Sequence, residues 1–160
     1  MTRRVLVAGI GNLLLRDDGF GPEVARRLAQ QPSTLPEGVR VVDYGIRGMH
    51  LAYDLLDGYD ALVIVDALPG EGAPGDLTML EVGENDLGSG MFDPHGMDPV
   101  AVLASLDQLG GRLPRTYVVG CLPADVGEGI GLSEPVTAAV PQAVEAVQVL
   151  TRRLWRPTTC

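Results

Sequence analysis

The sequence contains no lysine, because all 12 of its basic residues are arginine. A P-loop needs a lysine to reach the phosphates of its nucleotide, and Schiff-base chemistry and Ser–Lys dyads both need a lysine amine. All three kinds of site are therefore excluded. Receiver domains of two-component signalling, which also place paired aspartates near strand ends, normally require a lysine and are excluded for the same reason.

Cysteine and long apolar runs are scarce as well. The two cysteines, Cys121 and Cys160, form no CxxC pair, so we expect no disulfide framework and a reducing, cytoplasmic setting. No uninterrupted stretch of about 18 apolar residues occurs, which predicts no membrane-spanning helix. The apolar residues that follow the two N-terminal arginines are interrupted by Gly9 and Gly11, so we expect neither an export signal nor association with a membrane.

Positive charge is in short supply. Acidic residues number 21 against the 12 arginines, which gives a net charge of −9. A general nucleic-acid binder needs the opposite balance, because its affinity for phosphates comes from Lys and Arg. With 160 residues, 46% of them hydrophobic, the chain suits one domain over residues 1–160 that folds without disulfides or a structural metal.

Short apolar runs alternate with amphipathic segments along the chain. Strands are predicted at residues 5–8, 39–43, 61–65, 77–82 and 116–119, and helices from residue 21, over 48–56, over 98–109 and from residue 133. This alternation predicts a single three-layer α/β/α sandwich with a mostly parallel sheet of about five strands. No helix precedes the strand at 77–82, which is therefore expected to be antiparallel or at an edge. The Gly-rich residues 83–96 form a long loop, a common place for function.

Four polar side chains are expected to lie beyond the carboxyl ends of the strands, where open α/β sheets bind their ligands. Asp17 and Asp18 follow the first strand, Asp66 ends the third, and His95 lies in the long loop. Carboxylates and an imidazole together form a mixed oxygen and nitrogen donor set that divalent transition metals accept. The sequence thus indicates a metal site beyond the carboxyl ends of the strands.

Each of these residues also has a purely structural interpretation. Asp66 is suited to cap a turn, and Asp17 and Asp18 are suited to stabilise the start of the next helix through its dipole. A single histidine in a loop is most often a solvated side chain. Cys121, at the end of a strand with apolar neighbours, is typical of a buried thiol and not of a nucleophile. Sequence spacing does not choose between these alternatives.

The Gly9-Ile-Gly11 turn suggests a dinucleotide fingerprint, but the third glycine of that fingerprint is replaced by Leu14. Asp17 and Asp18 would then stand beside the pyrophosphate and repel it. We therefore expect no nucleotide cofactor.

Residues 9–21, GIGNLLLRDDGFG, are the most specific motif of the chain. Four supporting blocks follow in order: Val65–Ala67, Pro94–His95, Val119–Pro123 and Gly131–Ser133. With these motifs, the sequence from Val5 to about Leu154 resembles the hydrogenase maturation endopeptidases.

The resemblance implies an α/β/α fold and an endopeptidase that removes the C-terminal extension of a nickel–iron hydrogenase large-subunit precursor. It implies that Asp18, Asp66 and His95 bind nickel that the precursor already carries, so that cleavage verifies metal loading. Asp18 and Asp66 would also be catalytic, with Asp17 as a supporting acid or base. The alternative is a non-catalytic chaperone that senses metal loading through the same contacts.

Overall fold

The structure, a computed structural model, describes residues 3–82, 106 and 109–155. Its strands are β1 Val5–Ile10, β2 Val39–Gly45, β3 Ala61–Ala67, β4 Leu77–Val82 and β5 Arg115–Cys121. Its longer helices are α1 Phe20–Ala29, α2 Gly48–Leu55 and α3 Glu134–Trp155, and two short 3-10 turns span Arg16–Gly19 and Pro32–Thr34. In this part of the chain no helix is both long and apolar enough to cross a membrane.

The strands form one sheet in the order β2-β1-β3-β5-β4. Strands β2, β1, β3 and β5 run parallel to one another, and β4 pairs antiparallel with β5 at the edge of the sheet. Both expectations for this strand are therefore confirmed. All of β1 and the first six residues of β3 are buried, which explains why central parallel strands read as continuous apolar runs.

Side chains of the central strands alternate between two apolar cores. Val5 and Val63 face the core that α1 and α3 cover, whereas Leu6 and Leu62 face the core that α2 covers. The three-layer α/β/α sandwich with a mostly parallel sheet is thus confirmed.

Several boundaries differ from those predicted. Strand β3 continues through Asp66 to Ala67, because these residues keep their parallel pairing with Gly120 and Cys121. Helix α3 begins directly after Ser133 as expected, and Pro141 lies inside it. The loop predicted at 83–96 lies outside the described residues, as does most of the helix predicted at 98–109, of which Leu106 is helical.

The sheet reverses its strand order between β1 and β3. The connection from β1 passes through α1 to β2, and the connection from β2 passes through α2 on the other face to β3. The chain leaves β1 toward β2 on one side of the sheet and leaves β3 toward β4 on the other. The position beyond the carboxyl ends of β1 and β3 is therefore a topological switch point, where the ligand crevice of this architecture usually lies.

Candidate active site at the carboxyl ends of the strands

Glycines allow the first turn of α1 to enter the crevice. A Cβ atom on Gly21 would collide with the backbone carbonyl oxygens of Val65 in β3 and Ile10 in β1. Gly11, with a φ of 149° in the glycine-favoured region, passes directly over the backbone carbonyl of Asp18. The glycines of the GIGNLLLRDDGFG motif thus serve close backbone packing, which places the 3-10 turn Arg16–Gly19 at the end of the sheet.

Asp18 is the half-buried carboxylate of this turn. Its Oδ2 atom accepts a hydrogen bond of 2.7 Å from the backbone N–H of Asn12. Burial raises the pKa of Asp18 above its ordinary value, and the Asn12 hydrogen bond only partly offsets this. Among the described residues, Oδ1 has no hydrogen-bond donor. One carboxylate oxygen is therefore held in place and the other is available to a ligand.

Asp17, the preceding residue, is fully buried and faces the loop after β5. Its carboxylate accepts hydrogen bonds from the backbone N–H groups of Ala124 (2.8 Å), Asp125 (3.0 Å) and Ser133 (2.6 Å). The Ser133 hydroxyl donates a fourth, also of 2.8 Å. Burial alone would raise the pKa of Asp17, but these four donors outweigh it and the pKa lies below its ordinary value.

These contacts assign Asp17 a positioning role. A carboxylate that already accepts four hydrogen bonds has few lone pairs left with which to accept a proton from a substrate or a water molecule. Its lowered pKa also makes it a weaker base. The backbone N–H of Asp17 also donates to the Asp125 carbonyl at 3.0 Å, so backbone and side chain fasten the turn to the same loop. Acid–base action by Asp17 stays a prediction, and the geometry favours the structural interpretation.

Asp66 lies near the end of β3 and is 6% exposed. The 3-10 turn that carries Asp18 packs against this strand, so the structure brings Asp18 and Asp66 to the same end of the sheet, where the parallel strands have their carboxyl ends. Its backbone is paired with Gly120 in β5.

His95 lies outside the described residues, so the predicted ligand set is described only for its two carboxylates. Within residues 3–82, 106 and 109–155, no group of three or more His, Cys, Asp or Glu side chains is arranged to hold a metal ion. The roles of Asp18, Asp66 and His95 as metal ligands accordingly stay predictions.

Cys121, the last residue of β5, is a buried free thiol. Burial, reinforced by the negative charges of Asp17 and Asp76, raises the pKa of Cys121 to about 11. A thiol with this pKa is almost wholly protonated near neutral pH and is a poor nucleophile. The structure agrees with the interpretation of Cys121 as an ordinary buried thiol.

Two features of the site were not found by sequence analysis. Asn12 accepts the backbone N–H of Leu14 at 2.9 Å through its side chain, an Asx turn that also directs its own N–H toward Asp18. The second feature is the loop 124–133, which receives Asp17. An asparagine after a Gly-x-Gly turn is a recognisable turn signal, whereas no local signal links Asp17 to a loop more than 100 residues away.

Comparison with known proteins gives a consistent result. The family model for hydrogenase maturation protease matches residues 22–149. The chain is similar to the hydrogenase 2 maturation protease of Escherichia coli, with 34% identity over 146 residues that cover 90% of this chain and 88% of that protein.

Solved structures show the same likeness. The hydrogenase maturating endopeptidase HybD of Escherichia coli aligns with a TM-score of 0.79 and 31% identity, covering 94% of this chain and 93% of that one. The [NiFe] hydrogenase maturation protease HybD of Thermococcus kodakarensis aligns with a TM-score of 0.76 and 29% identity, covering 92% and 99% respectively.

Proposed function

Since the chain belongs to the hydrogenase maturation protease family, we propose that it removes the C-terminal extension from a nickel–iron hydrogenase large-subunit precursor after nickel insertion. Family membership makes the chain an endopeptidase that processes a hydrogenase. The large subunit as substrate, the C-terminal cut and the recognition of nickel are the parts that we add. We also propose the cytoplasm as the compartment, with which the free thiol of Cys121 agrees.

The observation that supports this proposal is the position of Asp18. Its carboxylate stands at the crevice between β1 and β3, with Oδ2 fixed by Asn12 and Oδ1 without a donor among the described residues. Asp66 adds a second carboxylate at the same end of the sheet. With His95 as the proposed third ligand, oxygen and nitrogen donors match what divalent nickel accepts.

Nickel enters this scheme as part of the substrate. A metal ion shared between precursor and protease ties the affinity of the complex to loading, because a nickel-free precursor lacks the shared ligand bonds. Hydrolysis then adds the oxygen of a water molecule to the scissile carbonyl carbon, breaks the C–N bond and passes a proton to the departing amine. Nickel held beside the carbonyl would polarise it for this attack. Asp18 and Asp66 would hold the nickel, and Asp17 holds the turn.

Mass spectrometry of the precursor tests the proposal. Nickel-loaded and nickel-free precursors are incubated separately with the protein, and the mass of each is followed with time. We expect the loaded precursor to lose a C-terminal fragment and the nickel-free precursor to stay intact. Equal cleavage of both would refute nickel recognition. Stable binding of the loaded precursor without any shortening would instead establish the chaperone alternative.

A further inference from the structure

Three large apolar side chains are exposed to solvent beside the candidate active site. Leu13 is 55% exposed, Leu14 is 63% exposed and Ile130 is 82% exposed. Leu13 and Leu14 belong to the loop between β1 and the 3-10 turn, and Ile130 belongs to the loop after β5. We call Leu13, Leu14 and Ile130 the apolar ledge. The two loops lie side by side, with a backbone bridge between Leu15 and Gly129, and neighbouring apolar side chains exposed in this way are typical of an interaction surface.

The backbone that carries the ledge is firmly held. The N–H of Leu14 donates to the Asn12 side chain, and the N–H of Arg16 donates to the Gly129 carbonyl at 3.0 Å. The N–H of Gly129 returns a bond of 2.9 Å to the Leu14 carbonyl, so the two loops pair side by side. Arg16 has a φ of 48°, a conformation that costs a non-glycine residue energy and persists only where surrounding contacts impose it. The exposure of the leucines is therefore part of an ordered structure and not of a frayed loop.

The ledge and the Asp18 carboxylate are built on the same backbone. Asn12 makes the turn under Leu14 with its side chain and holds Asp18 with its N–H. A Cβ atom on Gly19, the residue after Asp18, would lie 3.2 Å from Leu13. A molecule bound to Asp18 therefore comes within reach of the ledge.

We propose that the apolar ledge docks apolar residues of the hydrogenase precursor segment that carries the scissile bond. The proposal rests on the proposed function, because it assumes that the precursor reaches Asp18. The chemistry of the occupant follows from the charges around the ledge. Arg16 pairs with the Asp125 carboxylate at 3.6 Å and donates to the Glu128 carbonyl, so its positive charge is compensated. The exposed carboxylate of Glu128 makes no ion pair with a described residue, so the charge that remains beside the ledge is negative. An apolar peptide segment fits such a surface better than an acidic one.

Steady-state cleavage of the nickel-loaded precursor by Leu14→Ser and Ile130→Ser variants tests this assignment. Both side chains are exposed, so the substitutions leave the fold intact. Loss of one docked aliphatic side chain is expected to raise KM about tenfold while kcat stays unchanged. The control is Met79→Ser on β4, which removes a 49% exposed apolar side chain from the edge of the sheet and is expected to leave both constants unchanged.

Isothermal titration of the same precursor and sedimentation of the protein alone separate the possible results. If the wild type trims the precursor and both ledge variants keep its KM, the ledge proposal fails and the proposed function stands. If the wild type binds the precursor without trimming it, the proposed function fails, and a loss of affinity in the variants still supports the ledge. If the wild type neither trims nor binds, both proposals fail. A dimer that dissociates in the variants with unchanged KM would make the ledge a contact between two copies of the chain, which also overturns the proposal.

Discussion

Asp17 and Asp18, adjacent residues of the 3-10 turn Arg16–Gly19, have identical side chains in opposite surroundings. Asp17 faces inward, is fully buried and accepts four hydrogen bonds from the loop after β5 and the start of α3. Asp18 faces the crevice, is half-buried and accepts one hydrogen bond from Asn12. The pKa of Asp17 is lowered and that of Asp18 is raised. Of these adjacent aspartates, Asp17 fastens the turn, and Asp18 is the one that we propose to meet the substrate.

This contrast shows how the fold holds the Asp18 carboxylate in a short turn. A 3-10 turn of four residues has few hydrogen bonds of its own and needs support from outside. Asp17 supplies that support by joining the turn to a distant loop, so the orientation of Asp18 depends on contacts that Asp18 does not make. A site residue held in this way loses little conformational entropy when its ligand binds.

The largest effect is expected from Asp18→Asn. The amide keeps the size of the side chain and an oxygen for the Asn12 N–H, but it removes the negative charge that we assign to nickel binding. Trimming of the nickel-loaded precursor should fall by at least about 100-fold, because the loss of residues that only support metal ligands already costs about 10- to 100-fold. The free energy of unfolding should change by no more than about 1 kcal/mol. Cleavage rates from mass spectrometry and urea unfolding measure the two quantities.

Glu145→Gln is the matched control for this variant, because it neutralises an exposed carboxylate on α3 with an equally small change of shape. It should trim at the wild-type rate. If Asp18→Asn also trims at the wild-type rate, Asp18 has no part in the reaction and the division of work between the two aspartates is disproved.

Asp17→Asn is expected to lower the free energy of unfolding. An amide nitrogen would face one or more of the four donors, which leaves buried N–H groups without an acceptor, so unfolding should become easier by about 3 kcal/mol. Because the folded pKa of Asp17 lies below its ordinary value of 3.8, its stabilising effect is complete above that pH and is lost as the pH falls through the folded pKa. The difference between wild type and variant should therefore shrink in strong acid.

Thermal unfolding of both proteins from pH 7 down into strong acid measures this difference, again with Glu145→Gln as the control. A difference that stays below about 0.5 kcal/mol at pH 7 would show that Asp17 does not fasten the turn.

The sequence predicts the fold well because the central strands are uniformly apolar. Strands β1 and β3 are buried on both faces, so their runs of Val, Leu and Ile identify them without knowledge of the rest of the chain. The edge position and antiparallel pairing of β4 follow from the missing helix before it. Strand ends are harder to predict, because they depend on pairing with another strand. Strand β3 extends beyond its apolar run to include Asp66, since Asp66 pairs with Gly120 of β5.

The roles of the two aspartates, by contrast, are not readable from the sequence. Both residues have the same chemistry and the same local neighbours, and what separates them is the set of tertiary contacts that Asp17 makes with Ala124, Asp125 and Ser133, all more than 100 residues further along the chain. The leucines after Asn12 show the same limit. Their apolar character does not predict exposure, but Leu13 and Leu14 follow the Asx turn of Asn12 and are exposed to solvent.

The smallest effect is expected from Ser133→Ala. The variant removes one of the four donors to Asp17 and keeps the backbone N–H of residue 133, which makes the shortest of the four contacts at 2.6 Å. A hydrogen bond to a charged group contributes about 1.5 kcal/mol, so urea unfolding should show a loss of about this size. Thr137→Ala, in the first turn of α3, is the control, because its hydroxyl makes only a 3.4 Å contact with the Leu132 carbonyl.

Combining Ser133→Ala with Asp17→Asn then tests whether Ser133 acts through Asp17. If it does, the double variant should be less destabilised than the sum of the two single variants, because the hydroxyl has already lost its charged acceptor. Strict additivity would mean that Ser133 stabilises the start of α3 independently. In that case Asp17 would hold the turn through backbone donors alone, and the contrast with Asp18 would rest on one fewer contact.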